Sequence, residues 1–315
     1  MSKPILAYVG PDEGVSALEE VAASRFDIHR VVPEAPSIAQ GLRVASAFLD
    51  ASMKVRITPS MIEEAPHLRL VVTATTGADH IDQEALARRG IPLWTLREQK
   101  QLLQNLTPAA EHSWLLLMAC ARFLIAAQSH VLAGGWDRAQ FPGMMLRGKT
   151  IGIIGCGRIG QWMARYADAF GMRCQGYDPY LEQWPSMIDR VELETLLARS
   201  DAITLHVHLS SHTRGLLQRK HFELMKPGCL FINTSRGELI DEGALLECLF
   251  SGRIAAAGLD VLSTEPAIDQ HPLVIYARTH PNLIITPHIG GNSPDALRVV
   301  VRFSAQRILD YFGSV

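Results

Sequence analysis

Short apolar runs alternate with amphipathic stretches along the whole chain. ILAYVG at 5–10 reads as a buried strand, followed by a helical pattern at 15–24 and a strand at 26–32. Apolar runs recur at 45–49, 68–73 and 92–96, with helical patterns such as 59–64 and 83–89 between them. A second series starts at Lys149, with strands expected at 150–155, 172–177, 202–207, 229–234, 255–261 and 283–287. Continuously apolar strands separated by helices predict parallel sheets covered on both faces, so the chain reads as α/β with two doubly wound domains. Between the two series, 105–128 reads as one long helix and a natural spine for a hinge. Thr107 stands at its N-cap and Pro108 at its first helical position. The stretch 131–147 is irregular and reads as a crossing loop, and a last helix is expected at about 294–311. If that helix returns to the first domain, the first domain is discontinuous.

Composition narrows the classes. The chain has 315 residues, 48% hydrophobic and 20% charged, with a formal net charge of −2. That is the profile of a globular protein without an overall basic field, so neither nucleic acid nor an anionic membrane is expected as a partner. No apolar run reaches about 18 residues, and MSKPILAYVG lacks a signal-peptide core, so a cytoplasmic location is expected. Five cysteines at 120, 156, 174, 229 and 248 are scattered without CxxC spacing and read as reduced core thiols. The histidines at 29, 67, 80, 130, 212, 221, 271 and 280 show no ligand spacing, and no metal site is expected.

The most specific chemistry lies in TIGIIGCGRIG at 150–160. Gly155, Gly157 and Gly160 are spaced GxGxxG between a strand and a helical pattern. The first makes a tight turn, the second admits a pyrophosphate to the backbone, and the third packs helix on strand. The helix N-terminus then faces the phosphates. The next strand ends at Asp178, where a carboxylate accepts from an adenosine ribose and repels a 2′-phosphate, favouring NAD(H) over NADP(H). The competing reading of the same residues is an unliganded strand–turn–helix.

Three further segments, LHVHLSSHTRGLL (205–217), INTSRGELIDEGALLECLFSGRIAAAGLDV (232–261) and TPHIGG (286–291), resemble the D-isomer-specific 2-hydroxyacid dehydrogenases, with support from TTGADHID (75–82) and PAAEHSW (108–114). The resemblance covers nearly the whole chain in order. It implies two Rossmann-like domains: a flavodoxin-like substrate domain at 1–100 plus 291–315, and an NAD-binding Rossmann domain at 101–290 inserted in it. It also implies a homodimer built largely on the coenzyme domains, closure about the hinge, and a small 2-keto or 2-hydroxy acid as substrate.

Reduction of a 2-keto acid needs a cation for the carboxylate, an acid for the forming alkoxide and a held hydride donor. By residue type alone, Arg236 is a turn arginine, His288 a structural histidine and Glu265 an exposed loop glutamate. The resemblance makes Arg236 the carboxylate-binding guanidinium, His288 the acid/base and Glu265 the carboxylate that orients it and favours its imidazolium form. Thr76 and Gly77 match backbone amides that bind the substrate carboxylate. Arg158 and Ile159 match pyrophosphate contacts, while His206, Thr213, Thr234 and Asp260 match nicotinamide-side or ribose contacts; Asp260 read alone simply ends a strand. Thr107 is placed with the coenzyme-binding residues. Glu111 and His112 read as structural polar groups.

Within the family, Glu265, Arg236 and His288 together argue against a formate dehydrogenase, and the tail after PHIGG lacks the tyrosine-bearing pattern of D-lactate dehydrogenases. Several stretches look most like phosphoglycerate dehydrogenases, with Arg56 where these often carry a phosphate-binding arginine. However, Thr73 occupies the place of a second basic residue, and no regulatory domain is expected after Val315. Glyoxylate, hydroxypyruvate or another small 2-keto acid stays equally open, as does a non-carbon donor such as phosphite. The alternative of another class is an NAD(H)-sensing scaffold resembling the C-terminal-binding corepressors.

Overall fold

A computed structural model of the chain describes residues 3–313. They form two compact units, one running to Leu106 and resuming at Asn292, the other Thr107–Gly291.

The first unit runs β1 (Ile5–Val9), α1 (Asp12–Ala22), β2 (Asp27–Arg30), α2 (Ala35–Val44), β3 (Ala47–Asp50), α3 (Pro59–Glu63), β4 (Leu70–Thr73), α4 (Gln83–Arg88), β5 (Leu93–Trp94) and α5 (Lys100–Gln104). Its sheet is parallel in the order β2-β1-β3-β4-β5, the flavodoxin-like order. Side chains alternate across it with the period of a strand. Leu6, Tyr8, Leu49, Leu70 and Val72 enter one core, and Ala7, Val9, Phe48 and Val71 enter another.

The second unit opens with α6 (Pro108–Ala121) and α7 (Leu124–Leu132). It continues through β6 (Thr150–Ile154), α8 (Arg158–Ala169), β7 (Arg173–Tyr177), β8 (Asp189–Arg190), α9 (Leu193–Arg199), β9 (Ala202–Leu205) and α10 (Arg219–Leu224). It closes with β10 (Cys229–Asn233), α11 (Glu242–Phe250), β11 (Ile254–Leu259), α12 (Pro272–Ala277) and β12 (Leu283–Ile285). All its strands pair in parallel, in the order β12-β11-β10-β9-β6-β7-β8. The chain therefore winds outward from β6 in one direction and then, from β9, in the other. The crevice at the carboxyl ends of β6 and β9 is the topological switch point, where such sheets bind ligands. A last helix, α13 (Pro294–Gly313), belongs to the first unit, where Val300, Val301, Ala305 and Ile308 share a core with Ala17 and Leu18 of α1.

Two expectations fail here. The single helix expected at 105–128 is two: α6 spans Pro108–Ala121, and Phe123 adopts a left-handed conformation (φ 51°) before α7 begins at Leu124. The carbonyl of Ala121, which a continuing helix would offer four residues on, instead accepts from the Met144 N–H at 2.8 Å. A tertiary partner thus ends the helix where the apolar pattern continues. The second miss is β8, two exposed polar residues that pair with β7 at the sheet edge. So short and polar a strand leaves no hydrophobic signature. Among the described residues, no single helix is long and apolar enough to cross a membrane.

Candidate active site

The carboxyl edge of the seven-stranded sheet collects most of the singled-out residues. Taken along the strand order, His288 follows β12, Asp260 and Glu265 follow β11, and Thr234 and Arg236 follow β10. His206 then follows β9, the glycine loop β6, and Asp178 β7. At about 4.8 Å per strand, the five steps from β12 to β7 span roughly 24 Å, room for an extended dinucleotide.

At the switch point, Gly155 has φ 89°, and a Cβ there would lie 2.3 Å from the His206 carbonyl. Gly160 is equally obligatory, since its Cβ would meet the Gly155 carbonyl at 2.2 Å. Gly157, the N-cap of α8, differs: a Cβ there meets nothing within 4 Å, so the backbone is open to an approaching phosphate. Arg158 and Ile159 form the first turn of that helix. The Asp178 carboxylate docks onto this loop, accepting from the Cys156 N–H at 3.0 Å with one oxygen and the Tyr180 N–H at 3.0 Å with the other. Each oxygen keeps a lone pair for a ribose hydroxyl. Cys156 is buried, which pushes its thiol up to about 12 and makes it unreactive.

His206 makes one bond through Nε2, with Thr204 Oγ1 at 2.8 Å, and its buried Nδ1 has no partner. Burial lowers its pKa to about 3, so the ring is neutral. Thr213 and Thr234 have engaged hydroxyls. Thr213 Oγ1 ties the 208–213 turn through the Ser210 N–H and His208 carbonyl. Thr234 Oγ1 meets Ser113 Oγ at 2.7 Å; because that serine donates to the Ala109 carbonyl, the threonine is the donor. Thr107 holds the N-cap position of α6, but its hydroxyl donates to the Glu111 carboxylate rather than capping the helix.

At the far end, His288 Nδ1 lies 2.7 Å from Glu265 Oε1, and both side chains are about one-third exposed at 34% and 33%. His288 itself has φ 54°, a strained conformation for a residue with a bulky side chain. Asp260 holds it there. The buried carboxylate accepts from Thr286 Oγ1 at 2.5 Å, the Ile289 N–H at 2.9 Å and the Gly290 N–H at 2.7 Å, while its carbonyl accepts from the His288 N–H at 2.9 Å. His112, on α6, completes the network at 2.9 Å from Thr286 Oγ1 and 3.3 Å from Asp260 Oδ1. This histidine is thus a structural polar group with a specific task, support of the His288 turn. An equivalent support under Arg236 is Asn233, fully buried, whose side chain accepts from the Ser235 N–H and donates to the Arg236 carbonyl. A lone asparagine ending CLFIN is the faint signal that could have found it. Arg236 Nη1 donates to the Ser235 carbonyl at 2.7 Å.

Thr76 and Gly77 lie in the first unit, just after β4. There Thr75 Oγ1 donates to the Gly77 carbonyl at 2.7 Å, and His80 Nε2 meets the buried Asp50 carboxylate at 2.6 Å. Thr73 is fully buried and bonds to Thr75, whereas Arg56 is exposed. Among the described residues, no group of three or more His, Cys, Asp or Glu could hold a metal ion.

These features define a dinucleotide-binding α/β protein with a histidine–carboxylate pair at the edge of its sheet. Comparison with known proteins makes the class specific. Residues 114–290 match the D-isomer specific 2-hydroxyacid dehydrogenase, NAD binding domain, and residues 5–100 match the catalytic domain of the same family. The chain belongs to the D-isomer specific 2-hydroxyacid dehydrogenase family. It is 39% identical over 257 residues to D-3-phosphoglycerate dehydrogenase of Methanocaldococcus jannaschii, covering 80% of this chain and 47% of that protein. It is 36% identical over 258 residues to hydroxypyruvate reductase of Thermotoga maritima, covering 82% of each. The chain thus spans about half the length of the phosphoglycerate dehydrogenases it matches. Among solved structures, the TT0316 protein from Thermus thermophilus superposes with a TM-score of 0.83 at 31% identity, covering 97% of this chain and 96% of that one. NAD(H) is the cofactor of the matched domain, and the open Gly157 backbone and the lone pairs left on Asp178 fit it.

Proposed function

We propose that this protein interconverts a small 2-keto acid and its D-2-hydroxy acid with NAD(H). The observation that carries the reading is the His288–Glu265 pair at 2.7 Å, built on the two strands next to the one that bears Arg236. The glutamate accepts from Nδ1, so Nδ1 carries a proton and Nε2 is the atom that exchanges one with substrate. The carboxylate stabilises the imidazolium, preparing His288 to protonate the keto oxygen during reduction and to remove the hydroxyl proton during oxidation. Arg236 offers a planar fork for the substrate carboxylate. Bound NADH supplies the hydride that reaches the keto carbon. The coenzyme phosphates are left to Gly155, Gly157, Arg158, Ile159 and Gly160, and the adenosine ribose to Asp178.

The test is NADH oxidation with glyoxylate, hydroxypyruvate, phosphohydroxypyruvate, pyruvate and a bulky 2-keto acid, with NADPH in parallel. The reading expects one clear preference by kcat/KM, lost in His288→Ala. Tight NADH binding without turnover on any of them would sink it and favour a coenzyme-sensing scaffold.

We also infer a homodimer formed through the second unit. Helix α7 has no buried residue, and Leu124, Ile125, Leu132, Trp136 and Met145 are exposed there, Leu132 at 77% and Trp136 at 91%. A concentration of exposed large apolar side chains marks an interaction surface, which supports a second copy as the partner. Light scattering on Leu132→Glu should show a monomer where the unmodified protein is a dimer.

A further inference from the structure

We propose that Glu242, acting with His271, is a positioning residue that holds the loop bearing Glu265 in register with His288; the inference rests on the acid–base reading above. The loop between β11 and α12 has no regular structure, and its own backbone bonds are local turns, such as Ala267 N–H to the Thr264 carbonyl at 2.9 Å and His271 N–H to the Ile268 carbonyl at 2.9 Å. Such turns shape the loop without fixing where it sits. Glu265 nevertheless has to stay within hydrogen-bonding distance of a histidine on the next strand's loop.

Glu242 supplies the anchor from the first turn of α11. Its Oε1 accepts from the Ser263 N–H at 2.9 Å, and its Oε2 accepts from Ser263 Oγ and from His271 Nε2 at 3.1 Å. The loop is therefore gripped two residues before Glu265 and six residues after it. His271 has its tautomer set by its other nitrogen: Nδ1 accepts the Leu273 N–H at 3.3 Å as the cap of α12, so Nε2 carries the proton and donates to Glu242. Both side chains are largely buried, Glu242 at 12% exposed and His271 at 5%. A largely buried carboxylate that accepts from three donors is a rigid point in the structure, unlike an exposed ion pair. A third contact ties the loop to Arg236. A Cβ on Gly237 would lie 2.1 Å from the Ser263 nitrogen and 2.3 Å from the Leu262 carbonyl carbon, so the turn after Arg236 packs directly on the loop backbone.

The experiment is the pH profile of kcat/KM for keto-acid reduction in the full-length protein with NADH. The variants are Glu265→Gln, Glu242→Ala, Glu242→Gln and the double variant Glu242→Ala/Glu265→Gln. Glu265→Gln should displace the acid–base limb of the profile and lower kcat, because the proton-exchanging ring loses the carboxylate that Nδ1 meets at 2.7 Å. Glu242→Ala should move the same limb in the same direction and lower kcat while leaving the KM for NADH unchanged. The double variant should shift no further than Glu265→Gln alone, the sign of two residues acting through one contact. If Glu242→Ala fails to fold, as judged by its melting, Glu242→Gln carries the test. Its single amide oxygen cannot replace both carboxylate oxygens, so its NH2 must face either the Ser263 N–H or the His271 Nε2–H, and the limb should shift part of the way. A wild-type limb in the Glu242 variants, beside a shifted limb in Glu265→Gln, overturns the inference alone. A wild-type limb in Glu265→Gln overturns the acid–base reading and the inference with it.

Discussion

In both units the first strand of the sheet is buried and leads through a glycine-containing turn into a helix, yet the two turns serve opposite ends. In the first unit, Cβ atoms on Gly10 and Gly14 would meet Tyr8 Oη at 2.4 and 1.9 Å, so the missing side chains make room for the protein's own tyrosine. The helix that follows carries Asp12 and Glu13 in its first turn, which occupies its positive end with the chain's own charge. In the second unit, the space in front of Gly157 is open, and α8 has no acidic residue in its first turn. Glycine in a βα turn is therefore not a signal for phosphate by itself. The signal is glycine with open space before it and a helix end whose field is unspent.

The largest effect that would break this contrast comes from the far end of the second sheet. His288→Ala should lower kcat/KM for keto-acid reduction by about 10²–10⁴, the usual contribution of general acid catalysis, with NADH binding retained by fluorescence titration. No substitution in the glycine turn of the first unit should have that signature.

Next comes the paired exchange of glycines. Gly14→Ala should destabilise the fold by about 1–3 kcal/mol through overpacking against Tyr8, with the NADH Kd of the folded protein unchanged. Gly157→Ala should leave the melting of the coenzyme-free protein almost unmoved but weaken NADH about tenfold, equivalent to about 1.4 kcal/mol. Denaturant unfolding and isothermal titration distinguish the two; equal effects on both quantities in both variants would dissolve the contrast.

A smaller change is expected at Asp178. Asp178→Ala removes the acceptor for the ribose and the repulsion of a 2′-phosphate, so the ratio of kcat/KM for NADPH to that for NADH should rise.

An effect confined to acid pH concerns His206. Its folded pKa is depressed by burial from 6.5 to about 3, so below about pH 6.5 the unfolded chain binds the extra proton and stability falls as the pH drops toward 3. His206→Asn should flatten the unfolding midpoint across that window, and an unchanged slope would show that the ring is not held neutral.

Much of this was legible in the chain. GIIGCGRIG and Asp178 announced a coenzyme turn because each glycine answers a local steric demand that a sequence spacing records. Arg236, Glu265 and His288 were legible through the motifs around them, not through their types. The helix break at Phe123 was not legible, because the Met144 N–H that takes the Ala121 carbonyl comes from a distant part of the chain. Nor was β8, whose existence depends on pairing with β7 rather than on any apolar pattern.

By itself the sequence determined two α/β units and the strand–turn–helix of the coenzyme site, since these follow from local periodicity and spacing. Its motifs also named the proposed acid–base residues. The tertiary structure alone decided what holds those residues in place. His112 and Asp260 under the His288 turn, Asn233 under Arg236, and Glu242 with His271 on the Glu265 loop are supports whose task no motif announced. A buried hydrogen bond between segments is set by where two strands end in space, and no pattern along one strand contains that distance.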